Sequence, residues 1–129
     1  MSKTKIAIAL CTAGFAGLVV AQQAGFTRKA LQDQDLSVAG RHAVQVQAEF
    51  QPGAAAGRHT HPGEELGYVL EGTLELLIDG QPPRTVNAGE TFFVPAGLVH
   101  DGKNVGSGNA KVLATYVVEK GKPVATPVK

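Results

Sequence analysis

His59 and His61 are separated by one residue. On an extended strand, positions i and i+2 project to the same face, so two imidazoles would stand side by side at a spacing that can hold one metal ion. The Pro62-Gly63 turn follows, and then Glu64 and Glu65, either of which could fold back to supply a carboxylate oxygen. His100 lies far along the chain, beyond Pro95 and Gly97, and has to reach the pair from a different strand. A His-X-His pair is weak evidence by itself, because most histidines are surface or hydrogen-bonded residues. The fourth histidine, His42, opens an alternating stretch and reads as a surface or edge residue. No Ser/His/Asp set, phosphate-binding loop or isolated pair of catalytic carboxylates accompanies these residues.

The elements that must position them are short strands. From His42 the period is two: Val44, Val46, Ala48 and Phe50 alternate with Gln45, Gln47 and Glu49, the pattern of a half-buried strand ended by Pro52-Gly53. Further strands are predicted over 66–70, 73–78, 85–88, 91–94, 98–101 and 111–119, separated by turn signals such as Asp79-Gly80 and Pro82-Pro83. Many short strands punctuated by Gly and Pro indicate a sandwich or a barrel, and periodicity does not choose between them. Residues 22–41 form an N-terminal arm without clear period, in which 28–36 is either a short helix or an extended segment. Residues 120–129 are a tail carrying Pro123 and Pro127, expected to lie over the surface or over a partner subunit.

The spacings also resemble those of the cupin superfamily. Its first motif runs Gly, five residues, His-X-His, three or four residues, Glu, six residues, Gly, and is matched by Gly53, His59, His61, Glu65 and Gly72. Its second runs Gly, five residues, Pro-X-Gly, two residues, His, three residues, Asn, and is matched by Gly89, Pro95, Gly97, His100 and Asn104. The resemblance covers about 42–119, with a short inter-motif stretch typical of small single-domain bacterial members. It implies an all-β fold, a double-stranded β-helix or jelly-roll barrel, which forms a single domain following the N-terminal signal segment read below from its own residues. It also implies metal ligands His59, His61, Glu65 and His100 for one divalent transition metal: Fe, Mn, Ni, Cu, Co or Zn. Four protein ligands on a six-coordinate ion would leave two positions for water, dioxygen or a bidentate substrate.

Within that frame other residues take structural roles. Glu64 is off the inward parity and reads as a supporting or exposed carboxylate. Arg58 alternates away from the histidines toward solvent. Asn104 is expected to hydrogen-bond a loop. Gly72 and Gly89 are expected at turns needing positive φ or close backbone approach, and Pro95 fixes the chain ahead of the Gly97 turn so that His100 enters at a set height. Phe92, Phe93, Leu98, Leu113 and Tyr116 are candidates to line a cavity, with Leu98 favoured because it shares parity with His100.

Composition bounds the rest. The 129 residues are enough for one small domain. Twelve Lys and Arg against 11 Asp and Glu provide no basic excess for a phosphate backbone, which argues against a nucleic-acid partner. The single cysteine, Cys11, excludes an intramolecular disulfide and multi-cysteine metal sites. Lys3 and Lys5 precede an uncharged apolar run over 6–21, too short for the roughly twenty residues of a bilayer span. Residues 1–21 therefore read as a signal peptide cleaved near Ala21, with an uncleaved anchor as the rival. The expected location is periplasmic or secreted, with no membrane association after cleavage.

The function implied is an exported metal-binding cupin. One expectation is a metal-dependent, dioxygenase-like oxidoreductase of the small quercetin-dioxygenase-like or pirin-like kind. It would act on a small enolic or aromatic molecule, with Glu65 doubling as a catalytic proton acceptor. The alternative is a non-catalytic periplasmic module that binds a metal or small ligand; a metal-free, sugar-isomerase-like site fits less well because the ligand set is complete. A homodimer pairing through residues 26–50 is expected, since open barrel edges need cover.

Overall fold

The computed structural model describes residues 23–129, so the expected signal segment 1–21 and Cys11 lie outside the described residues. Every regular element among the described residues is a strand: β1 (Phe26–Asp35), β2 (Arg41–Phe50), β3 (His59–Thr60), β4 (Gly63–Glu71), β5 (Thr73–Ile78), β6 (Arg84–Asn87), β7 (Thr91–Val94), β8 (His100–Asn104), β9 (Ala110–Glu119) and β10 (Thr126–Pro127). They form two antiparallel five-stranded sheets, ordered β1-β2-β9-β4-β7 and β10-β3-β8-β5-β6. Consecutive strands of the chain alternate between the sheets along much of this order, which is the jelly-roll arrangement.

The period-two patterns account for the two faces. On β2, Val44, Val46, Ala48 and Phe50 are buried. On β9, Ala110, Val112, Ala114, Tyr116 and Val118 are buried, in register with them. From the opposite sheet Leu74, Leu76 and Ile78 of β5 and Val86 of β6 meet Val69, Phe92 and Val94 in one core. Fully burying a Val or Leu side chain contributes roughly 1.5–3 kcal/mol, so these alternating positions are what hold the sheets face to face.

Two glycines act through space and backbone. Gly72 turns β4 into β5 at φ +79, and a Cβ there would come within 2.6 Å of the Asn109 carbonyl oxygen. Gly67 faces inward on β4, where a Cβ would meet the Phe92 ring at 2.1 Å; its missing side chain is the space the ring occupies.

The N-terminal arm adopts the extended alternative. β1 pairs antiparallel with β2 from Phe26↔Phe50 to Asp35↔His42, with an irregularity between Ala30 and Gln32. Only Phe26 of this strand is buried, which explains why its sequence carries no apolar period. The tail joins the second sheet. β10 pairs with β3 through Thr126↔Thr60 and Pro127↔His59, and the Val128 N–H donates to the Arg58 carbonyl at 2.9 Å. The strand expected over 98–101 is displaced, because the Pro95–Leu98 turn runs on to β8 at His100.

Candidate metal centre

The site lies between the sheets. β3 supplies His59, and the end of β3 leads into His61. β8 starts at His100, whose backbone pairs directly with His59. Glu65 enters from β4, flanked in register by Val94 on β7 and Tyr116 on β9. Gly97 donates its N–H to the His61 carbonyl at 3.2 Å, which ties the turn preceding His100 to the strand that carries the other two histidines.

All four side chains are buried, and one ligand atom from each lies within 4.8 Å of all the others. The ring centroids of His59, His61 and His100 are 4.3–4.9 Å apart. Each ring is oriented by a backbone carbonyl. His59 Nδ1 meets the Gly57 oxygen at 2.6 Å, His61 Nδ1 the Val124 oxygen at 2.6 Å and His100 Nδ1 the Leu98 oxygen at 3.0 Å. A carbonyl oxygen only accepts, so each Nδ1 carries the hydrogen and each neutral ring presents a bare Nε2 lone pair inward. Such carbonyl partners fix the tautomer and orientation of metal-ligating histidines.

The carboxylate makes the case sharper. Glu65 Oε2 lies 3.1 Å from His61 Nε2 and 3.0 Å from His100 Nε2. With the Nδ1 hydrogens already committed, two neutral rings would direct lone pairs at an anionic oxygen. A positive charge is required there, either a proton on an imidazole or a metal ion. Three nitrogens and one carboxylate oxygen, preoriented and buried, are a donor set that fits a borderline divalent metal.

The electrostatics follow from the same contacts. Burial, reinforced by the charges of His100 and His61 and opposed by the Gly57 hydrogen bond, lowers the pKa of His59 to about 4. For Glu65, burial favours the neutral acid, but the hydrogen bonds with His100 and His61 outweigh it and hold the pKa to about 2. Burial works against protonating His100, yet its bonds to Glu65 and to the Leu98 carbonyl raise its pKa. The group therefore keeps an ionised carboxylate beside a ring that readily carries charge. Tyr116, 4.5 Å from the His61 ring, is pushed up by burial and stays a neutral phenol.

Beside these four side chains opens a cavity of about 30 Å³. A single water needs about 10–15 Å³ by this measure, so there is room for a molecule of only a few heavy atoms unless side chains move. Its walls are mainly apolar, with Phe26, Phe50, Phe92 and Tyr116 around His59, Glu65 and His100.

Among the expected residues, His59, His61, Glu65 and His100 converge. Glu64 is half-buried on β4 and outside the group, paired in register with Val117. Arg58 is exposed and ion-paired with Asp79 at 2.7 Å. Asn104 is buried and serves the loop beyond it: its Nδ2 donates to the Phe50 and Gly108 carbonyls and its Oδ1 accepts from the Gly106 N–H. His42 is apart from the centre and partnered with Asp33 at 2.7 Å.

The cavity lining needs correction. Phe92 and Tyr116 line it, but Leu98, Phe93 and Leu113 do not. Leu98 lies in the turn before β8, so strand parity with His100 does not apply, and it packs partly buried against the core. Phe93 points outward and is 52% exposed. Two contributions were missed by sequence reasoning. Phe26 and Arg28 reach the cavity from β1, and the tail supplies the Val124 carbonyl that orients His61. A backbone acceptor leaves no side-chain signature to find.

The description "Cupin domain" fits residues 46–116 as a family match. Germin-like protein 1-1 of Oryza sativa subsp. japonica is 41% identical over 73 residues, covering 53% of this chain and 34% of that protein. The HTH-type transcriptional regulator PuuR of Escherichia coli (strain K12) is 37% identical over 68 residues, covering 52% of this chain and 36% of that protein. This chain thus spans about a third of the length of the curated relatives it matches. Among solved structures, an oxalate oxidase in complex with the substrate analogue glycolate superposes with a TM-score of 0.66 at 29% identity, over 81% of this chain and 55% of that one.

Proposed function

The chain belongs to the cupin domain family, and from that premise we propose that it is a metal-dependent, dioxygenase-like oxidoreductase acting on a small oxygen-bearing molecule. The observation that carries the reading is the convergence of four ligand atoms within 4.8 Å, with every histidine Nδ1 tied to a backbone carbonyl. When bound, a divalent transition metal would polarise an oxygen of the ligand and supply redox capacity that no side chain here has. The residues of the chain do the remainder. His59, His61 and His100 present Nε2 without needing to reorient. Glu65 brings one negative charge, so the filled site keeps a net positive charge that attracts an anionic oxygen. Glu65 is also the proposed proton acceptor. Phe26, Phe50 and Phe92 exclude bulk water from the reacting end.

The likeness to an oxalate oxidase and the size of the cavity both favour a small substrate: an enol, enediol or hydroxy acid rather than a polycyclic aromatic. The test is oxygen uptake by protein loaded separately with Fe, Mn, Ni, Cu, Co and Zn, over a panel of such compounds with anaerobic controls. Oxygen-dependent product formation with at least one metal supports the reading. No turnover with any metal, alongside saturable binding without product, supports the alternative of a binding module. The likeness to a transcriptional regulator favours that second reading.

The proposal extends to assembly and location. Two copies pairing along β1 would cover an edge strand whose residues after Phe26 are all exposed. Export rests on the charged and then apolar stretch 3–21; an N-terminus near Gln22 on protein recovered from its host supports export with cleavage, and one at Met1 in the soluble fraction contradicts it.

A further inference from the structure

Arg28 stands at the mouth of the cavity. It is exposed on β1, yet its side chain lines the same cavity as His59, Glu65 and His100. Its guanidinium carbon sits 5.2 Å from the centroid of the Phe26 ring, which packs against Phe50 at 4.7 Å. A cation over an aromatic face is held in place without losing its hydrogen-bond donors. The other three arginines are engaged elsewhere: Arg41 donates to the Pro62 carbonyl, Arg58 pairs with Asp79, and Arg84 donates to the Thr91 carbonyl. Arg28 makes no ion pair or side-chain hydrogen bond among the described residues, so its planar fork of donors is free to face the cavity.

We propose that Arg28 is a specificity-determining residue that receives the carboxylate of a small organic anion whose other oxygen is held at the four-ligand centre. The inference rests on the metal reading above and deepens it by naming the ligand class. Guanidinium and carboxylate match in a planar, bidentate pairing. The apolar walls lower the local dielectric and strengthen that attraction. The room available limits the anion to a few heavy atoms, which selects short hydroxy, oxo or dicarboxylic acids. Arg28 is distant in sequence from both motifs, and it belongs to the site only because β1 lies along β2.

The test uses the full chain loaded with Co(II), titrated with glycolate and with glycolamide, its neutral counterpart of the same size, while the visible Co(II) absorption is followed. The wild type is expected to bind glycolate at least about tenfold more tightly than glycolamide. Arg28→Gln should lose about tenfold or more in glycolate affinity and little for glycolamide, Arg28→Lys should recover part of the loss, and Co(II) affinity should stay unchanged in both variants. Glycolate binding equal in Arg28→Gln and wild type, with Co(II) bound normally, overturns the inference and leaves the metal reading standing. Failure of the wild type to take up Co(II) overturns the metal reading itself, and the inference with it.

Discussion

Three carbonyl oxygens, on Gly57, Leu98 and Val124, decide which nitrogen each histidine offers. Burial of the His59 ring, which its carbonyl partner only partly offsets, gives the metal-free protein a distinctive pH response. Below pH 6.5 the unfolded chain protonates the residue at position 59, whereas the folded chain refuses that proton until about pH 4. Stability therefore falls as pH drops through that window, at up to about 1.4 kcal/mol per pH unit for the one proton. His100 acts in the opposite sense: its raised pKa gives stability that is complete below 6.5 and is lost as pH rises through the folded value. Glu65 adds a loss only between about 4.5 and 2. Denaturant melts of the metal-free protein are accordingly expected to show greatest stability near pH 6.5. His59→Gln should flatten the limb between 6.5 and 4; an unchanged limb would show that burial of His59 is not its source. At this scale the sequence was informative. Side-chain parity separated Glu65 from Glu64 and sent Arg58 outward, while the full ligand set came from the motif resemblance. Parity failed at Leu98, where the backbone is a turn.

Strands and ends behave differently under the same reasoning. β5, β7 and β9 were legible because each buries every second residue, with the residues between them half-buried on β5 and β9 and exposed on β7. β1 was ambiguous between helix and extended arm because it buries one residue, and its place comes from backbone pairing with β2 that any polar sequence can make. The tail, expected over the surface or over a partner subunit, runs over the surface as a strap: Val124 packs beside Val44, Tyr116 and Val118, and its carbonyl orients His61. Removing residues 123–129 should leave the two-sheet core folded, since its main cluster lies elsewhere. The same truncation should weaken metal binding by about 10–100-fold, the usual cost of losing a partner that orients a ligand. Chelator competition on the truncated and full chains measures this. Equal affinities would mean that His61 holds its orientation without the strap.

For the whole molecule, the outer face of the β1-β2-β9-β4-β7 sheet is the open question. Leu66, Tyr68 and Leu70 of β4 and Phe93 of β7 are all exposed on that sheet, and Leu66 pairs with Phe93 in register. β1 forms the opposite edge of the same sheet, so a second copy is expected to lie across the outer face from β1 to these side chains. Sedimentation equilibrium at micromolar concentration should give a dimer, and Phe93→Glu or Leu66→Glu should shift it toward monomer; a monomeric wild type would contradict the assembly. The short-strand, all-β character was readable from periodicity and the jelly roll with its inner cluster from the motif resemblance, whereas the small cavity and the contributions from both chain ends emerge only when the sheets close.

One cation held jointly by four side chains is the centre of the proposed chemistry. Anomalous scattering from crystals of Co(II)-loaded protein tests this directly. The predicted result is a single peak per chain about 2.0–2.2 Å from Nε2 of His59, His61 and His100 and from a carboxylate oxygen of Glu65. No peak among those residues, or a peak that leaves any of the three histidines uncoordinated, would contradict it.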